Sequence, residues 1–159
     1  MLFLVEGLNC SGKSTFIDDI SKGIVLTTPW LNPLRNKSHY LNYQSYHVGA
    51  YEGILGALKD QIGSTSLYWD RTWISSYAYG TLEHKSFEYL AEKYAVENVS
   101  VVFMDTTLEL CIDRWKNSKR DEDKSYVKFD EEYWSEVQEK LKDAVTFLSK
   151  KGIPVHIIK

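Results

Sequence analysis

Nine consecutive residues, Gly7-Leu8-Asn9-Cys10-Ser11-Gly12-Lys13-Ser14-Thr15, constrain this chain more than any other stretch. Their spacing is glycine, four residues, then glycine-lysine-serine. An apolar run, Leu-Phe-Leu-Val at 2–5, leads into them, and apolar residues at helical spacing, Phe16, Ile17 and Ile20, lead out. The pattern predicts strand, loop and helix in succession. In that setting glycines let backbone wrap closely around a polyphosphate, and consecutive N–H groups at the helix start face the anion. Lys13 then reaches the outer phosphates, and the Ser14 hydroxyl ligates Mg²⁺. Asn9, Cys10, Ser11, Gly12 and Thr15 complete the cradle. A chance glycine-rich turn would not need both flanking elements.

Further along, short apolar runs alternate with helical patterns. The strands fall at 2–5, 24–27, 66–69, 99–104 and 155–158, and the first helix runs from 12 to about 22 with Gly23 closing it. Thr106-x-x-Glu109 reads as a capping box opening a helix whose apolar face is Leu108, Cys111, Ile112 and Trp115. A long amphipathic helix follows at about 130–150, with a core stripe of Tyr133, Trp134, Val137, Leu141, Ala144, Val145 and Leu148. Strands separated by helices predict a parallel sheet of α/β class. Two segments break the alternation. Residues 28–46 carry two prolines, Trp30, Arg35 and Lys37, and residues 117–128 are almost wholly polar. Ligands of open α/β sheets bind beyond the carboxyl ends of the strands, so both segments are candidate flaps over a site, or else plain solvated loops.

Size and composition fit one domain over 1–159, with a lid at about 115–128. A domain of this length buries roughly 70% of its unfolded surface and forms a core unaided. The net charge of −3 argues against general polynucleotide binding. Two cysteines, Cys10 and Cys111, without zinc-type spacing, suit a reducing cytoplasm. No signal segment and no apolar run of ~20 residues is present, so no membrane partner is expected. Aromatic residues make up 14% of the chain; Trp30, Tyr43, Tyr46, Tyr51 and Trp73 are equally suited to stacking a base or filling a core.

Two aspartates, Asp70 and Asp105, each end a strand that would flank the first if the order is 2-3-1-4-5. Either could hold a Mg²⁺-bound water near a γ-phosphate. Periodicity does not choose between them, but Arg71 adjoins Asp70, and phosphoryl transfer pairs a carboxylate with a cation. Asp105 adjoins only the capping Thr106. A second basic group, Arg114, Lys116, Lys119 and Arg120, begins on the helix after strand four. Arg114 and Arg120 suit charge stabilisation at the transferring phosphoryl group, whereas the lysines balance the acidic run 121–123.

Taken together, Val5-Glu6-Gly7 with the loop, and Asp70-Arg71-Thr72-Trp73-Ile74-Ser75-Ser76-Tyr77-Ala78-Tyr79-Gly80, resemble two signatures of thymidylate kinases. Asp70, Arg71, Ser75, Ala78 and Tyr79 fall in register. The resemblance implies a three-layer P-loop kinase fold: a five-stranded parallel sheet of order 2-3-1-4-5, helices on both faces and a short basic lid. It implies transfer of the ATP γ-phosphoryl group to a deoxynucleoside monophosphate, with Ser14 and Asp70 on Mg²⁺. Arg71 would hold the acceptor phosphate, Ser75 and Tyr79 would border the acceptor, and Arg114 and Arg120 would serve the adenine side and the lid. It further implies a small-molecule acceptor, allows a homodimer, and fits a compact phage or viral member in a host cytoplasm.

Several residues depart from that pattern. The chain is short for the family. Its second strand exits into Thr27-Thr28-Pro29-Trp30 where the family carries an Arg-Glu-Pro-like motif, leaving Arg35 downstream as the substitute. Asn9 stands where an acidic residue is usual, and Gly80 where glutamine often follows. These departures leave three rivals: a deoxynucleoside kinase, a kinase of another small-molecule or polynucleotide hydroxyl, and a nucleotide-binding regulator without transfer activity. A regulator would normally carry a base-reading Asn-Lys-x-Asp, which this sequence lacks.

Overall fold

The computed structural model describes residues 1–20, 24–27, 44–117 and 131–159. Arg35 and Arg120, most of the expected lid, and Trp30 and Tyr43 lie outside the described residues. Numbered along the chain, the described elements are β1 (Leu2–Gly7), α1 (Lys13–Ile20), β2 (Ile24–Thr27), α2 (Gln44–Ile62), β3 (Leu67–Asp70) and α3 (Trp73–Ala78). After these come α4 (His84–Ala95), β4 (Val99–Met104), α5 (Leu108–Lys116), α6 (Glu131–Lys150) and β5 (Val155–Ile158).

The five strands form one parallel sheet of order β2-β3-β1-β4-β5, as expected. Strand β1 is two residues longer than its apolar run, because Glu6 and Gly7 pair with Phe103 and Met104. Strand β3 sits one residue later than expected and takes in Asp70, which pairs with Val5 on one side and Thr27 on the other.

Alternation along the strands assigns side chains to two faces. Leu2, Leu4, Leu67, Trp69, Val99, Val101 and Phe103 enter a large core with Leu55 of α2, Leu90 of α4 and Trp134 and Leu141 of α6. On the opposite face Val5, Val102 and Met104 meet Ile17 and Phe16 of α1. The sheet therefore lies between helical layers. Tyr51 and Trp73 are both core: Trp73 packs on Phe87 and Tyr94, and Tyr51 on Trp69.

The helix after β4 corrects one expectation. Its cap is Thr107, whose Oγ1 accepts the Leu110 N–H at 3.3 Å, and not Thr106. Thr106 instead donates its hydroxyl to the Ser11 carbonyl at 2.8 Å, tying the β4 exit to the glycine-rich loop.

Candidate active site

Because every strand runs the same way, their carboxyl ends share one edge. Strand β1 is central, with β3 and β4 beside it. The chain's direction across the sheet reverses there, which opens a crevice. A cleft of about 1320 Å³ occupies that place. It is lined by all residues from Asn9 to Phe16, by Asp70 and Arg71 from β3, and by the β4 exit from Met104 to Leu108. Arg114, Gln138, Lys142 and Lys159 also reach it.

The loop geometry depends on its glycines in two different ways. Gly7 has φ +155, and a Cβ there would lie 2.6 Å from Ser11 Oγ and 3.0 Å from the Met104 backbone oxygen, so only glycine fits. Gly12 has φ +97, a value that side chains disfavour, and the Phe16 N–H bonds its carbonyl at 2.9 Å to start α1. Cys10 takes φ +61 without being glycine. Left-handed backbone at an ordinary residue costs energy and persists where surrounding contacts impose it. Arg114 Nη1 donates to the Cys10 carbonyl at 3.2 Å, which is one such contact.

Lys13 folds back over this loop. Its Nζ donates to the Leu8 carbonyl at 2.7 Å, the Gly7 carbonyl at 3.1 Å and Ser11 Oγ at 3.3 Å. Those three acceptors match an ammonium's three protons. Burial, and then the nearby Arg71 charge, pull its pKa down to about 7, while Asp70 and Glu6 oppose the shift. Ser14 and Thr15 are exposed towards the cleft.

Across the cleft, Asp70 is half-buried and its Oδ1 is buried with no hydrogen-bond partner among the described residues. A buried carboxylate oxygen left in that state is costly unless a ligand or cation completes it. Arg71 follows at φ +58, the second left-handed residue of the site that is not glycine. Its backbone N–H bonds the Val5 carbonyl at 3.2 Å, and its guanidinium donates to Asn9 Oδ1 at 3.0 Å and Tyr79 Oη at 3.4 Å. The two sequence motifs are thus joined directly. Asp105 also lines the cleft, and its N–H bonds the Ile158 carbonyl at 2.7 Å.

Glu6 is the residue that motif reading overlooked as a site group. Its carboxylate is fully buried and accepts the Thr72 N–H at 2.8 Å, the Thr72 hydroxyl at 2.6 Å and the Ser75 hydroxyl. Burial raises its pKa, and these hydrogen bonds act against that rise. A charged residue inside an apolar strand was the available signal. Ser75, expected beside the acceptor, is fully buried and its hydroxyl donates to the Glu6 carboxylate. Thr72 caps α3 by accepting the Ile74 N–H, so Glu6 also steadies that helix start.

No protein-family model matches the sequence, and no curated protein matches it. Solved structures do. A deoxyadenosine kinase from M. mycoides with bound dATP aligns at a TM-score of 0.59 and 18% identity, over 100% of this chain and 91% of that one. The same kinase with bound dCTP gives 0.54 and 18%, and with products dCMP and a flexible dCDP 0.52 and 19%; each covers 100% of this chain and 90% of the other. At such identities the likeness establishes the fold, that of P-loop kinases.

Proposed function

We propose that this chain is an ATP-dependent deoxynucleoside kinase built as a single kinase domain. The observation that carries the reading is the whole-length fold likeness to a deoxyadenosine kinase, joined to a cleft that sets Lys13 opposite Asp70 and Arg71. The same likeness favours a nucleoside over a monophosphate acceptor, since those neighbours are described as deoxyadenosine kinases. The monophosphate reading, thymidylate kinase-like, draws its support from the adjacency of Asp70 and Arg71 in the sequence and their register with that family's signature.

In this mechanism the loop N–H groups and Lys13 bind the β- and γ-phosphates, with Lys13 exchanging loop carbonyls for phosphate oxygens. Ser14 and Asp70 fit Mg²⁺: one hydroxyl is exposed in the cleft, and one carboxylate oxygen is buried without a partner among the described residues. Among the described residues no cluster of three or more His, Cys, Asp or Glu could hold a metal. That suits an ion completed by phosphate oxygens and water. When bound, Mg²⁺ neutralises charge on the phosphates. Asp70 orients the acceptor hydroxyl or the metal. Arg71 and Arg114 stabilise the equatorial oxygens as a bond forms from the hydroxyl oxygen to the γ-phosphorus, the bond from that phosphorus to the β,γ-bridging oxygen breaks, the hydroxyl proton passes to Asp70 and ADP departs. Neither Cys10 nor Cys111 is in a disulfide, which suits a cytoplasmic enzyme. No described helix is long and apolar enough to cross a membrane.

The test is incubation with Mg·ATP and a panel of deoxynucleosides, their monophosphates and a short oligonucleotide. A deoxynucleoside monophosphate product is expected, lost in Lys13→Met and reduced ~10²-fold or more in Asp70→Asn. A diphosphate product from monophosphates, with a raised KM in Arg71→Ala, would establish the second reading instead. Loss of turnover in Asp105→Asn but not Asp70→Asn would reverse the carboxylate assignment.

A further inference from the structure

Tyr79 stands where three parts of the site meet. It closes α3 and is only 3% exposed. Its phenolic oxygen accepts the Asn9 N–H from the glycine-rich loop at 3.3 Å and Arg71 Nη1 at 3.4 Å. The Arg71 guanidinium carbon lies 5.6 Å from its ring centroid. On its backbone side, the Tyr79 carbonyl accepts the Tyr133 hydroxyl at 2.9 Å, and the two rings meet edge to face at 6.2 Å. Tyr133 belongs to the first turn of α6.

A phenolic oxygen has two lone pairs, and here it takes donors from the glycine-rich loop and from the residue that follows β3. Asn9 closes the triangle by accepting Arg71 Nη2 at 3.0 Å. A tyrosine present only to fill space would need no hydroxyl, since a buried phenol must find partners to offset its desolvation. Any movement of the Asn9 peptide as the loop closes on phosphates changes one of the two bonds on that oxygen. The other bond holds Arg71.

We propose that Tyr79 is a positioning residue that couples occupation of the glycine-rich loop to the setting of Arg71 and of the first turn of α6. The proposal rests on the kinase reading but goes beyond a residue that borders the acceptor. Two discrete settings of Arg71, biased by the loop, are the physical content of such coupling.

Hydrogen–deuterium exchange on the full chain, with and without Mg²⁺ and the non-hydrolysable analogue AMP-PNP, tests it without knowledge of the acceptor. In the wild type, exchange slows at 8–15 and also, ~5-fold or more, at 71–78 and 131–136. In Tyr79→Phe, which keeps the ring, protection stays at 8–15 and is lost at the other two segments. In Tyr133→Phe it is lost at 131–136 alone. With an acceptor in hand, Tyr79→Phe raises the acceptor KM ~5-fold and leaves the ATP KM within twofold. Wild-type protection confined to 8–15 overturns the coupling alone, and needs no folded variant. Unchanged protection in Tyr79→Phe also overturns it. Absence of protection at 8–15 overturns the kinase reading and this proposal with it.

Discussion

Lys13 holds a charge in a place that resists charge. With a folded pKa of about 7 against an ordinary 10.5, the unfolded chain carries a proton at this residue that the folded chain has lost between those two values. Stability therefore rises with pH across that window, because the more protonated unfolded state is progressively disfavoured. Thermal melts of the ligand-free protein should show the wild type gaining on Lys13→Met between pH 7 and 10. A parallel pair of curves would place the Lys13 pKa near its ordinary value. The lysine itself was legible from its motif, and so were Asp70 and Arg71. Glu6 and Tyr79 were legible only in part, because Glu6 bonds Thr72, 66 residues on, and Tyr79 bonds Asn9, 70 residues back. A motif fixes residue types but not which distant hydroxyls a buried carboxylate collects.

At the scale of elements, two neighbouring threonines divide the work at the β4 exit. Thr107 caps α5, and Thr106 braces the Ser11 carbonyl, with Gln138 of α6 donating to the Thr106 carbonyl at 3.0 Å. Removing a capping hydroxyl costs about 1 kcal/mol. Thr107→Ala should thus lower Tm by a few degrees and leave the ATP KM unchanged. Thr106→Val keeps the shape but removes the donor to the loop, so it should raise the ATP KM severalfold as well as lower Tm. Equal effects from the two variants in steady-state kinetics and melts would refute the division. Sequence spacing placed the cap one residue early because Glu109 lies three residues after Thr106; the Ser11 carbonyl draws the Thr106 hydroxyl away and leaves the cap to Thr107. Helix α2 was not read at all. Its glycines, Gly49, Gly53 and Gly56, dilute the apolar periodicity, although Tyr51, Leu55, Leu58 and Ile62 still reach the core. The strands were easier, since a parallel sheet covered on both faces shows as plain apolar runs.

The molecule as a whole is acidic, with a net charge of −3, yet its cleft is not. Among the described residues, Lys13, Arg71, Arg114, Lys142 and Lys159 line it against Asp19, Asp70 and Asp105. The sheet order explains the contrast: it gathers the ends of β1, β3 and β4, and the helices that follow them, around one hollow, whatever the average charge of the surface. Cations in a concave, partly desolvated site act on an anion far more strongly than the same charges spread over solvent. Nucleotide binding should accordingly appear as stabilisation of the whole fold. At a hundredfold excess over its Kd, Mg·ATP contributes ~2.7 kcal/mol, which for a chain of this size raises Tm by about 5–10 °C. Lys13→Met should lose most of that shift, and raising the salt should shrink it in the wild type by screening the exposed members of the set, Arg114, Lys142 and Lys159. The buried Lys13 is screened least, so the variant and the salt must act separately: the variant removes the part of the shift that salt leaves behind. Differential scanning fluorimetry at two ionic strengths resolves the two parts, and a shift that salt abolishes completely would mean that the glycine-rich loop contributes no binding of its own.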